Sequence, residues 1–110
     1  MRLINLTPHP VNLLLEGRTI TVPPEGTVAR VREEILPDAG IMVDGDFIPV
    51  VRKVLREVTG LPEPSEGVIF VVSLAVAQAA RDREDLFVPD DFVRDEEGRI
   101  LGARRLSRLR

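Results

Sequence analysis

Five consecutive apolar residues, Val68-Ile69-Phe70-Val71-Val72, run directly into Ser73 and a stretch of small side chains. A strand with one face in water alternates apolar and polar residues, whereas an unbroken apolar run marks a strand covered on both faces. This segment is therefore the predicted central strand, and the rest of the chain has to supply a layer on either side of it. Ser73 suits a helix N-cap, because its side-chain oxygen can accept from a backbone N–H of the first turn. Leu74-Ala75-Val76-Ala77-Gln78-Ala79-Ala80-Arg81 is the one predicted helix, and its small residues suit close packing on a sheet.

Elsewhere the pattern is of short strands punctuated by turns. Leu3 to Leu6 and Val11 to Leu15 flank a Pro8-His9-Pro10 corner, and Glu16-Gly17 is a two-residue hairpin signal leading into Arg18 to Val22. These read as a meander. Pro23-Pro24-Glu25-Gly26 is a turn, Thr27 to Arg32 a half-buried strand, and Glu33 to Gly40 a looser stretch. Asp44-Gly45 marks a second hairpin. The run from Val50 to Thr59 fits both helical and strand spacing, and its valines favour strand. Gly60 to Gly67 is the clearest loop. Leu86-Phe87-Val88 reads as a short strand stopped by Pro89, and Phe92 to Asp95 pairs with Arg99 to Ala103 across Glu96-Glu97-Gly98 as a third hairpin. The expected fold is a small α+β domain, a mostly antiparallel curved sheet or partial barrel of short hairpins with one main helix. It spans residues 1–103, with 104–110 as a basic C-terminal tail that frays.

Composition removes many chemistries. The 110 residues contain no Cys, Trp or Tyr and a single histidine, so thiolate nucleophiles, the usual Cys/His zinc sites and a disulfide framework are excluded. The formal charge of −3 gives no bulk attraction to nucleic acid or anionic membrane. No apolar run approaches the roughly 20 residues a membrane helix needs, and the first residues turn polar too early for a signal-peptide core, so the expectation is a cytoplasmic protein. Lys53 is the only lysine against fourteen arginines, and Asn5, Asn12 and Gln78 are the only amides. Few amides fit heat adaptation, but the missing lysines point to base-composition bias instead.

Four segments, Asn5-Leu6-Thr7-Pro8-His9-Pro10-Val11, Gly60-Leu61-Pro62-Glu63-Pro64, Val72-Ser73-Leu74-Ala75-Val76-Ala77-Gln78-Ala79 and Val93-Arg94-Asp95-Glu96-Glu97-Gly98-Arg99-Ile100-Leu101-Gly102, carry a resemblance over nearly the whole chain. Together they resemble a family of short bacterial and phage proteins with no assigned activity. The resemblance implies a domain that stands alone, in a phage or mobile-element setting, and brings no cofactor or catalytic residue.

His9 is held between prolines, which stiffens the backbone and could present the imidazole in a fixed direction to a ligand. A structural corner, with Thr7 bonding back to the local backbone, accounts for the same residues. Ser73 could hold an anion at the helix start, but no glycines flank it as a phosphate loop or nucleophile elbow requires, and helix capping suffices. Arg99, Arg104, Arg105, Arg108 and Arg110 form an acid-free basic end that could touch nucleic-acid phosphates or another anion. It has no aromatics to stack bases, and eight acids between Asp82 and Glu97 stand ready to neutralise it. The paired carboxylates Asp44/Asp46, Asp82/Asp85, Asp90/Asp91 and Glu96/Glu97 sit at expected turns and match no calcium-loop spacing, so no metal is expected.

The sequence thus points to a non-enzymatic binding or interaction module, with another protein or a second copy as partner through open strand edges. The alternative is a small-molecule or nucleotide site formed by Thr7, His9 and Ser73, which requires the corner and the helix start to be neighbours. No catalytic residue and no cofactor is assigned, and neither membrane nor nucleic acid is an expected partner.

Overall fold

The structure is a computed structural model that describes residues 1–110. In chain order its elements are β1 (Arg2–Asn5), β2 (Val11–Leu15), β3 (Arg18–Val22), β4 (Arg30–Pro37), β5 (Ile41–Val43), β6 (Asp46–Ile48), β7 (Val51–Thr59), β8 (Val68–Val71), α1 (Leu74–Ala79), β9 (Leu86–Arg94) and β10 (Ile100–Ser107). Six strands form one sheet in the order β1-β8-β9-β10-β2-β3. Its two end strands approach each other where Asn5 bridges Pro24 and the Glu25 N–H donates to the Asn5 carbonyl at 2.9 Å. The sheet is thereby nearly closed into a barrel.

The apolar run behaves as its pattern demands. Phe70 and Val72 enter one buried cluster with Leu6, Ala29, Val76, Ala77, Leu86 and Val88, while Val71, fully buried, enters another with Val11, Leu13 and Ala103. Helix α1 therefore covers one face of β8 and the curled sheet covers the other. Full burial of each such side chain contributes about 1.5–3 kcal/mol. Ser73 caps α1, its Oγ accepting from the Val76 N–H at 3.3 Å. No helix is long and apolar enough to cross a membrane.

The mostly antiparallel expectation is corrected: the sheet is mixed. β1 runs parallel to β8, β8 to β9 and β10 to β2, against antiparallel β9–β10 and β2–β3. The cause is the β8-α1-β9 crossover, in which the helix returns the chain to the starting end so that the next strand lies parallel. The expected meander fails for the same reason. β1 and β2 are separated by β8, β9 and β10, and only β2 and β3 pair directly, across Glu16-Gly17.

Pro89 does not stop β9. β8 pairs with β9 only at Leu86 and Phe87, so beyond Phe87 that edge of β9 is free and a missing N–H costs nothing there. Nor do residues 104 to 107 begin a frayed tail: they continue β10, with Arg105 opposite Asp90, Leu106 opposite Pro89 and Ser107 opposite Val88.

Residues 30–59 form a separate element. β4 and β7 make a two-stranded antiparallel ribbon with Arg30 opposite Thr59 and Pro37 opposite Val51, and β5 and β6 close its far end across Asp44-Gly45. The stretch from Glu33 to Pro37, expected to be loose, is strand because β7 offers cross-strand partners. Arg32 Nε donates to Glu57 at 2.7 Å and Arg56 Nε to Glu34 at 2.7 Å. At the near end Val31 and Val58 pack against the helix-side cluster. The far end projects: the radius of gyration is 17.4 Å and the extents are 55 × 39 × 24 Å, where a compact chain of this length has a radius near 13 Å.

Candidate functional site

The corner after β1 is organised by a residue the sequence analysis did not single out. Asn5 is 1% exposed and uses its whole amide. Its Nδ2 donates to the His9 carbonyl at 2.8 Å and to the Val22 carbonyl at 3.0 Å, and its Oδ1 accepts from the Thr7 N–H at 2.9 Å and the Thr7 hydroxyl at 2.6 Å. A buried amide without partners costs free energy, so this complete set is what makes the position tolerable. The consequence is mechanical: one side chain ties β1, the proline corner and the end of β3 together. The Asn5-Leu6-Thr7 spacing is that of an Asx turn, which was the available signal.

Thr7 is thus committed to structure, whereas His9 is exposed and its ring makes no hydrogen bond. Thr7, His9 and Ser73 line one cleft of about 400 Å³, together with Pro10, Val72, Pro89, Asp90, Phe92 and Ser107 among others. The cleft exists because β8 ends beside Ser73 while β9 continues along its free edge, leaving a gap that the corner overhangs. Apolar side chains such as Val72, Leu74, Val88 and Phe92 line it beside the polar groups of Thr7, His9, Ser73, Asp90 and Ser107. The Ser73 Oγ accepts from Val76, which leaves its own hydrogen available to donate. Asp90 accepts from Arg105 Nε at 2.8 Å, and that guanidinium holds its carboxyl below the usual carboxylate range. His9, Ser73 and Asp90 are not hydrogen-bonded to one another.

The basic end is occupied. Arg99 reaches Asp95 at 3.0 Å and Glu97 at 3.0 Å, Arg104 reaches Asp91 at 3.5 Å, and Arg110 reaches Glu84 at 3.4 Å. Arg108 lies over the Phe87 ring, 5.7 Å from its centre. With Arg105 on Asp90, every arginine of this end has an internal partner. Asp95 in turn accepts from the Arg99 and Glu97 N–H groups at 2.9 Å each, and these bonds, the Arg99 one foremost, hold its carboxyl below the ordinary value. Asp90, Asp91, Asp95 and Glu97 are thus neutralised along the β9–β10 hairpin by Arg105, Arg104 and Arg99. The paired carboxylates do not converge into a group suited to a metal ion.

A further surface escaped the sequence analysis. Every residue of β5 and β6 is exposed. Met42 is 66% exposed, Phe47 64% and Ile35 61%, and Ile41, Val43, Ile48 and Val51 are each more than two-fifths exposed. Seven large apolar side chains are thus concentrated in one projecting arm. Phe47 lies across Gly40, where a Cβ would collide with its ring and crowd the Ile48 carbonyl oxygen at 2.9 Å. The signal was the apolar set on both sides of Asp44-Gly45, read only as a hairpin. No protein-family model, no curated protein and no solved structure matches this chain.

Proposed function

We propose that the protein is a non-enzymatic interaction module of the cytoplasm whose binding element is the β-arm of residues 30–59. The observation that carries this reading is the exposure of seven large apolar residues on that arm. Scattered exposed apolar residues are ordinary on a soluble protein, but seven gathered on both faces of one projecting element mark a contact surface. Two further facts support it. A two-stranded ribbon is marginal in water by itself, and both edges of the β4–β7 ribbon are unpaired. A photo-crosslinking residue at position 47 should capture a protein in cells, while the same probe at Thr19, on the exposed end of β3, should not. Capture equal at the two positions, or at neither, removes the arm from function.

The cleft supports a second reading, a small-molecule or nucleotide site, because it gathers Thr7, His9 and Ser73 with Asp90, Ser107 and several apolar side chains. A small adduct seen by native mass spectrometry and lost in both His9→Ala and Ser73→Ala supports it. An adduct that survives both substitutions lies elsewhere.

A further inference from the structure

We infer that the cleft takes an extended segment of another protein, added as a strand along the free edge of β9. The inference does not depend on the arm, and it gives the cleft a different occupant from the small molecule of the second reading. Three observations choose this occupant.

The first is width. In the sheet β8 lies between β1 and β9. Its last bonds to their side are from the Leu6 N–H to the Val71 carbonyl at 2.9 Å and from the Val72 N–H to the Phe87 carbonyl at 3.0 Å. Past this level the chain turns into α1, while β9 runs on to Arg94 and the Thr7-to-Pro10 corner follows β1. Neighbouring strands lie about 4.8 Å apart, so β1 and β9 stand about 10 Å apart where β8 ends, and the gap that opens there is one strand wide. Val88 and Pro89 are successive residues of β9, with side chains on opposite faces, and both line the cleft. The cleft therefore opens in the plane of the sheet, at the strand edge.

The second is hydrogen bonding. The Asp85 and Phe87 carbonyls accept from the Phe70 and Val72 N–H groups. Strand geometry repeats every second residue, so the Pro89 carbonyl points the same way, into the gap. Proline has no N–H, so this wall accepts there and does not donate. On the corner side, His9 carries a ring N–H that bonds to no other group of the chain, and at the closed end Ser73 has a hydroxyl hydrogen to give. A peptide group presents its N–H and its C=O to opposite sides of an extended chain, which is what these walls match.

The third is apolar surface. Leu74 and Phe92 line the cleft and remain about half exposed, and an apolar side chain on the added strand covers them. Arg105 already neutralises Asp90, so no charged side chain is called for. The chain does not supply this strand itself. Leu109 packs against the helix-side cluster and Arg110 reaches Glu84 at 3.4 Å, while β4 and β7 each carry four charged residues. Asp91, with φ of +56°, ends regular strand geometry, so the pairing runs along Val88 to Asp91.

Display of short random peptides against the full chain tests this, with a Leu74→Glu, Phe92→Glu double variant as counter-target. Peptides with apolar residues at alternate positions should be enriched on the wild type and not on the variant. The strongest is then titrated into isotope-labelled wild type, where amide shifts should centre on Ser73 and on Val88 to Asp91. N-methylation of its alternate amides, one set at a time, should weaken binding at least about tenfold for the set facing β9 and far less for the other. That measurement uses unaltered protein, so it stands even where the double variant loses stability.

Absence of any enriched peptide overturns the inference, and a small adduct lost in His9→Ala and Ser73→Ala then gives the cleft to a small molecule. Shifts centred on residues 41–48 also overturn it, because they place the peptide on the arm. Binding that tolerates methylation of either set overturns it as well, since edge pairing is then not what holds the peptide. Crosslinking at position 47 reads the arm alone, so the interaction-module reading stands or falls separately.

Discussion

Asn5→Ala is the substitution that tests how the barrel is closed. It deletes four hydrogen bonds and leaves the carbonyls of Val22 and His9 and the N–H of Thr7 without their partner. The three do not cost the same. His9 is at the surface and Thr7 half-buried, so water replaces much of what they lose, while Val22 packs against the barrel cluster. A stranded buried group costs about 1–3 kcal/mol, and a replaced bond about 1 kcal/mol or less, giving a total near 3 kcal/mol. Against a stability of about 5–15 kcal/mol this is a large share, and it corresponds to a fall in Tm of about 12 °C or more. Urea unfolding followed by far-ultraviolet circular dichroism measures it, since the chain has no Trp or Tyr to report by fluorescence. Asn5→Asp adds a sign. A carboxylate there faces two carbonyl oxygens, so its folded pKa lies above the unfolded value of about 4. The penalty relative to wild type is full at neutral pH and shrinks as pH falls through that raised value. A loss under about 1 kcal/mol in Asn5→Ala, or an Asp penalty that does not ease in acid, refutes the account of Asn5 as the tie between β1, the corner and β3.

The Arg83–Asp85 pair is bidentate, with bonds of 2.8 and 2.7 Å and both side chains mostly covered, and Arg83 holds the Asp85 carboxyl below its ordinary value. Its contribution is therefore complete above the unfolded pKa near 4 and disappears as pH falls through the folded one. Asp85→Asn should cost about 1.5–3 kcal/mol at pH 7, and the cost should shrink as pH falls from about 4 through the lowered folded pKa, as read from acid titrations of the melting temperature. Truncation after Ala103 removes the β10 residues opposite Asp90, Pro89 and Val88, and should abolish cooperative unfolding instead of trimming a loose end. Gly40→Ala should displace the Phe47 ring and change the methyl and ring resonances of residues 41–48 while leaving the global unfolding free energy within about 1 kcal/mol of wild type.

What could be read in the sequence was local. The Val68-to-Val72 run, the Ser73 cap, the strand reading of Val50 to Thr59 and the turns at Glu16-Gly17, Asp44-Gly45 and Gly98 all depend on neighbours a few residues apart, and their patterns state themselves. Partner choice does not work that way. Nothing near Arg2 indicates that it will lie opposite Val68, and Pro89 reads as a stop until β8 is known to leave that edge free. Strand from Glu33 to Pro37 was hidden because Glu34 is paired by Arg56 across the ribbon, as the neighbouring Arg32 is by Glu57, and such pairs are invisible along one strand. The site was half legible. Thr7, His9 and Ser73 do line one cleft, but Asn5, which sets the corner, was passed over because a lone amide beside apolar residues carries no periodic mark.

The order of strands in the sheet also has a consequence for the growing chain. β1 is synthesised first, yet its partner β8 lies more than half the chain away, whereas β2–β3, β5–β6 and β4–β7 are local hairpins. During translation those hairpins can close as they leave the ribosome, while β1 waits with both edges open until Val68–Val71 emerges. Asn5 cannot complete its bonds to the corner and to Val22 in a lasting way before then. β1 thus waits for a strand made past the middle of these residues, and a pause in synthesis between Thr59 and Val68 would prolong its exposure to other chains.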